Sequence, residues 1–139
     1  MADRRSGCWI GGLAARLAAE PDWRVPLGES LDRFYALWPN REAMEAALAG
    51  PPGIALLPFP AALLAAVAEQ LAVQWALPMP TWVAGAGRDL VAPVSLFPAW
   101  LPADRLARHS PPAFSARRLL ADPDPLRRAR RPPLPRVEG

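Results

Sequence analysis

The 19 prolines of this 139-residue chain constrain its fold more than any other feature of the sequence. A proline inside a helix removes one backbone hydrogen bond and clashes with the preceding turn, so a helix has to fit between prolines. The first 80 residues leave room for four helices, and these end at or just before Pro21, Pro39, Pro51 and Pro78. The spacing therefore predicts a set of short helices.

Apolar side chains recur at helical spacing in two of these windows. In the second window they follow an i, i+4, i+7, i+8, i+11 pattern, which forms one stripe along a helix. The members of this stripe are Leu27, Leu31, Phe34, Tyr35 and Trp38. The fourth window, from about residue 61 to 76, carries a wider stripe opposite Glu69 and Gln70. Its members are Leu63, Leu64, Val67, Leu71 and Trp75, and they predict a central core helix.

Helix-ending residues define the remaining elements. Asn40 is a good N-cap for a third helix, because its side-chain oxygen can accept from amides of the first turn, and Gly50 ends that helix. Further helices are predicted at about 10–20 and at 102–109. Residues 110–114 predict a stiff extended link. Asp122 followed by Pro123 predicts a last short helix with a capped start.

The segment 78–101 combines prolines and glycines with large apolar side chains. Neither a long helix nor a central strand suits this composition, so we expect an irregular segment that wraps over the core. Its tryptophans, Trp82 and Trp100, would anchor it there. If the segment were exposed, it would form a partner-binding surface instead. The predicted fold is mainly α, a small helical bundle with a long Pro/Trp-rich irregular segment packed over it.

The predicted organisation has three parts: a partly flexible N-terminal segment at 1–26, a helical domain at 27–131, and a disordered tail at 132–139. The sequence carries no convincing secretory signal, and its strongest apolar run is too short and too polar to span a bilayer. A single cysteine, Cys8, excludes an intramolecular disulfide. We therefore expect a soluble, cytoplasmic protein.

The basic charge is concentrated at the C-terminal end. The net charge is +3, all 16 basic residues are arginine, and residues 116–139 carry seven arginines against three acidic residues. Guanidinium groups bind phosphates and carboxylates, so this end could contact nucleic acid or an acidic protein. The candidate contacts are Arg117, Arg118, Arg127, Arg128, Arg130 and Arg131.

Catalytic signals are weak throughout the sequence. His109 is the only imidazole, and no nucleophile and orienting group accompany it in a recognisable pattern. With one cysteine and one histidine, the chain offers no zinc-type ligand cluster. Gly85 and Gly87 stand near Arg88, but the strand, lysine and Ser/Thr of a phosphate-binding loop are missing. We predict no enzyme activity, no cofactor and no metal.

Three stretches resemble a known bacterial family: the run Leu31-Asp32-Arg33-Phe34-Tyr35, the helix Leu63 to Trp75 with the following Leu77-Pro78-Met79-Pro80-Thr81-Trp82, and above all the run Ser110-Pro111-Pro112-Ala113-Phe114-Ser115-Ala116-Arg117-Arg118 leading into residues 122–128. They are similar to an uncharacterised bacterial helical domain usually found C-terminal to a repressor-type helix-turn-helix. The resemblance covers Leu27 to Arg130, and residues 1–26 are too few for the helix-turn-helix.

In that family the gene commonly lies beside one for a predicted nucleotidyltransferase, as in a toxin–antitoxin pair. The resemblance therefore implies a non-enzymatic protein–protein interaction module, the antitoxin-like partner of a nucleotidyltransferase-type protein. The predicted contacts are the arginines named above together with Trp82, Phe97, Trp100 and Phe114. The alternative is a small basic nucleic-acid-binding protein that uses the arginine-rich C-terminus.

Overall fold

The computed structural model describes residues 9–96 and 101–135 of the chain. Within these ranges it has six helices: α1 (Trp9–Ala19), α2 (Arg24–Tyr35), α3 (Arg41–Ala49), α4 (Pro58–Gln74), α5 (Ala103–His109) and α6 (Pro112–Ser115). Two short strands, β1 (Val94–Ser95) and β2 (Leu119–Leu120), form one parallel pair. The predicted mainly α fold is confirmed, and four helices occupy the first four proline-bounded windows.

Helix α4 is the centre of the protein, as its apolar stripe predicts. Pro58 and Pro60 lie in its first turn, where backbone N–H groups have no partner within the helix, so the missing proline N–H costs no hydrogen bond. The buried face is wider than the sequence stripe, and it includes five alanines and Gln70. Because alanine is small, helices α1, α3 and α6 pack against α4 on several sides. Of the two residues predicted on the polar side, Gln70 is buried and Glu69 is half-buried.

Helix α1 belongs to the same core as the later helices. Its Trp9 side chain packs against Phe34 with ring centroids 5.5 Å apart, and its indole N–H donates to the Ser30 carbonyl at 2.9 Å. Among the described residues the core therefore extends back to Trp9, and the predicted boundary at residue 27 lies inside α2. The predicted tail is described only to residue 135, and residues 132–135 form neither helix nor strand.

Asn40 caps helix α3 as predicted. Its side-chain oxygen accepts from the Ala43 amide at 3.1 Å, and the helix ends before Gly50. Arg41, the first residue of the helix, donates to the carbonyls of Trp75 and Ala76 at the end of α4. This ties the start of α3 to the end of the central helix.

We predict that Asn40→Ala lowers the free energy of unfolding by about 1 kcal/mol, because the first turn of α3 loses its side-chain acceptor. Urea unfolding followed by circular dichroism measures the change. Asn40→Asp is the matched control, since aspartate is an equally good cap and should keep nearly all of the stability. Equal losses in both variants would contradict a capping role.

The proline-rich segment packs over the core, as predicted. Val83 and Leu96 are buried, and the half-buried Trp82 donates its indole N–H to the Leu48 carbonyl at 2.9 Å. The segment also contains β1, in which Val94 lies opposite Leu119 of β2. The predicted anchor Trp100 and the predicted contact Phe97 lie outside the described residues.

Near the C-terminus one local prediction holds only in part and another is wrong. Ser110 and Pro111 of the predicted link are extended, but the rest of the link lies in helix α6, because Pro112 stands at the first helical position, where the fixed proline φ suits a helix. The predicted helix after Asp122 is absent, and this carboxylate instead accepts from the Asp124 amide two residues on and forms a turn. The chain then passes over α2, where the Tyr35 hydroxyl donates to the Leu126 carbonyl.

Candidate functional site

Arg117 is the most buried charged residue of the arginine-rich end, with 1% of its surface exposed. Its guanidinium donates to the carbonyls of Val83 at 2.6 Å, Ala113 at 2.8 Å and Ala86 at 2.9 Å. It also donates to the Glu69 carboxylate at 2.9 Å. These bonds tie the irregular segment, α4 and α6 together. The prediction that Arg117 contacts a partner is therefore wrong, because its guanidinium faces inward and cannot reach one.

Two further arginines of this end serve local contacts. Arg118 has a φ of +63°, which turns its side chain outward, and it donates to the Val91 carbonyl at 3.0 Å. Arg131 makes a two-point ion pair with Asp124, with distances of 2.6 and 2.8 Å. The hydrogen bonds from Arg131 hold the pKa of the Asp124 carboxyl below its usual value. Both arginines stabilise the chain's own loops.

Arg128 forms the longest-range ion pair of the described residues. Its Nε and Nη2 donate to the two oxygens of Asp32 at 2.9 and 2.8 Å, across 96 residues of sequence. These bonds lower the pKa of Asp32, and the nearby charge of Arg130 lowers it further. A Cβ at Gly28 would lie 2.9 Å from Nη1 of Arg128, so a glycine is what lets this guanidinium lie close against α2.

The contact between α2 and the C-terminal segment leaves an open groove of about 230 Å³. We call it the arginine groove, and it is lined by Trp23, Arg24, Leu27, Gly28, Leu31, Pro125, Arg127 and Arg128. Its floor is apolar, since Leu27, Leu31 and Pro125 are buried. Its rim carries three guanidinium groups, drawn from two regions of the sequence about 100 residues apart.

The groups on the rim differ in how strongly they are engaged. Arg24 lies over the Trp23 ring at 5.2 Å and contacts Asp22 at 3.5 Å, with both side chains of that pair more than half exposed. Arg127 and the neighbouring Arg130 are exposed, and neither makes a hydrogen bond or ion pair with another residue in the described ranges. A negatively charged ligand would therefore meet Arg24, Arg127 and Arg130 first.

The predicted aromatic contacts that lie in the described residues, Trp82 and Phe114, do not line this groove. Phe114 is fully buried in the core, and Trp82 is half-buried with its indole N–H already bonded. Phe97 and Trp100 lie outside the described residues. The aromatic side chain that the structure brings to the arginines is Trp23, which packs edge-on against Phe59 with ring centroids 6.1 Å apart.

His109 lines a second surface pocket, of about 220 Å³, with Arg105 and Asp122 among its neighbours. The hydroxyl of the adjacent Ser110 is engaged by the backbone: it accepts from the Ala121 amide, and its single hydrogen donates to the Leu106 carbonyl at 2.7 Å, with the Ala121 carbonyl at 3.0 Å as the alternative acceptor. Within residues 9–96 and 101–135, no group of three or more His, Cys, Asp or Glu could hold a metal ion. This pocket thus lacks an available nucleophile beside its imidazole.

No sequence pattern indicates Trp23, Arg24 and Gly28 as site residues. An adjacent tryptophan and arginine next to Pro21 and Pro26 look like a loop between helices, and only the fold places them opposite Arg127. The one local signal of a close approach is Gly28 inside the amphipathic repeat of α2. Because Gly costs about 1 kcal/mol relative to Ala within a helix, its presence indicates that another group packs closely against the helix there.

Comparisons of the chain with protein-family models, with curated proteins and with solved structures found no match. None of the helices in the described part of the chain is long and apolar enough to cross a bilayer.

Proposed function

We propose that this protein is a non-enzymatic protein–protein interaction module, and that it binds an acidic partner through the arginine groove and the adjacent Arg130. The proposal rests on one observation: where α2 packs against the C-terminal segment, guanidinium groups surround an apolar floor. Arginine and tryptophan beside a buried apolar surface are the residue types that contribute most to protein interfaces.

The distribution of charge favours an acidic protein over a nucleic acid. Of the six candidate arginines, Arg117 is buried and Arg128 and Arg131 already pair with carboxylates. Nucleic-acid affinity grows with the number of phosphates that are neutralised, so few free cations give little affinity.

The resemblance names the partner to test first, a nucleotidyltransferase-type protein, and an antitoxin-like role stays a prediction. The rival function is nucleic-acid binding through Arg127 and Arg130, whose exposed guanidinium groups could contact phosphates. The two functions differ in what remains bound after nuclease treatment and in how binding depends on salt.

The test is a nuclease-treated affinity purification from the native host with wild-type protein and with the double variant Arg127→Glu/Arg130→Glu. We expect one stoichiometric protein partner, at least tenfold less of it with this variant, and wild-type recovery with the control Arg105→Glu/Arg108→Glu. The control makes the same charge change on α5, whose pocket shares no lining residue with the groove. Recovery of nucleic acid alone, lost on nuclease treatment, would contradict the proposal.

A further inference from the structure

The arginine groove has the dimensions of a site for one or two side chains. Its volume of about 230 Å³ lies below the range of roughly 300–1,000 Å³ typical of small-molecule pockets. A second depression of about 320 Å³ adjoins it and shares Arg24, Gly28 and Arg128. The guanidinium of Arg128, lying close to Gly28, lines both. Two adjoining depressions of this size suit successive side chains of an extended peptide segment.

The charges around the groove indicate which charges a bound peptide segment would carry. Arg128 is neutralised by its two-point pair with Asp32, whereas Glu29 in the second depression shares Arg16, at 2.6 Å, with Glu20. The available cations are Arg127 and Arg24, whose contact with Asp22 is long and exposed, and such pairs contribute little. Both border the apolar floor formed by Leu27 and Leu31.

We infer that the arginine groove binds a short linear segment of an acidic partner, in which one apolar side chain inserts over Leu27 and Leu31 and flanking carboxylates pair with Arg24 and Arg127. This inference rests on the proposed function and adds the chemistry of the recognised segment. The apolar insertion supplies affinity through burial, and the two charges fix the position of the segment.

The test is fluorescence anisotropy with a fluorescein-labelled peptide in which one leucine stands between two pairs of aspartates. We expect saturable binding to the full chain, weakened about tenfold or more when the peptide leucine is replaced by serine. We also expect about fivefold weaker binding by Arg127→Gln. Arg105→Gln, on α5, is the matched control and should bind like the wild type.

When the peptide binds, two results would overturn the inference. One is equal binding of the leucine and serine peptides, which would mean that charge alone is recognised. The other is tighter binding of an oligothymidylate of the same net charge. If the peptide fails to bind while the native partner still requires Arg127, the linear-segment inference falls and the proposed function stands. If the native partner also ignores Arg127, both fall.

Discussion

Replacing Arg117 by alanine should lower the free energy of unfolding by about 3–5 kcal/mol, the usual cost of breaking a buried ion pair by removing one partner. The substitution leaves the carbonyls of Val83, Ala86 and Ala113 without their donor and leaves Glu69 without its cation. Each unsatisfied buried acceptor costs about 1–3 kcal/mol. Chemical unfolding in urea, followed by tryptophan fluorescence, measures the effect.

Arg118→Ala is the matched control for this prediction. The neighbouring side chain is exposed and makes one hydrogen bond, to Val91, so its loss should cost at most about 1 kcal/mol. If the Arg117→Ala protein does not fold, Arg117→Lys provides the measurement, because lysine keeps the charge but not the planar fork of donors. Unfolding curves of the Arg117 variants that coincide with the wild type would contradict the structural role.

Gly87→Ala should destabilise the protein by about 3 kcal/mol, through two separate effects. The φ of Gly87 is +69°, where a side chain costs about 1–2 kcal/mol. The added Cβ would also lie 2.6 Å from the Cα of Ala62 and 2.7 Å from the Ala61 carbonyl oxygen, both in the backbone of α4. Overpacking of this kind typically costs about 1–3 kcal/mol. Thermal and urea unfolding measure the sum.

Two other glycines separate these effects. Gly53 has a φ of +79° but nothing within 4 Å of an added Cβ, so Gly53→Ala should show the conformational cost alone. An alanine at Gly85 meets neither constraint and should change stability by less than about 0.5 kcal/mol. Equal effects at Gly87 and Gly53 would contradict the close packing of the irregular segment on α4.

The sequence predicts those parts of the fold that depend on residues close together in the chain. The cap at Asn40, the stop at Gly50 and the apolar repeat of α4 are local signals, and the structure confirms them. The same local logic failed after Asp122, where a capping residue before a proline predicts a helix. There the Leu126 carbonyl accepts instead from Tyr35, a residue 91 positions away.

The candidate site was less predictable because it depends on long-range contacts. Arg117 and Arg118 are equivalent in sequence, yet one is buried with four hydrogen bonds and the other is exposed. The pairing of Arg128 with Asp32 spans 96 residues, and no local pattern indicates it. The arginine-rich composition predicted a basic end, whereas the fold decides which of its charges face outward.

Photo-cross-linking in the native host tests the central claim most directly, with p-benzoylphenylalanine in place of the exposed Val25, which lines the depression adjoining the groove, or at position 105 on α5. If the arginine groove is the binding face, position 25 gives one nuclease-resistant adduct with a single protein and position 105 gives none. Adducts that disappear on nuclease treatment, or equal adducts from both positions, would contradict the account.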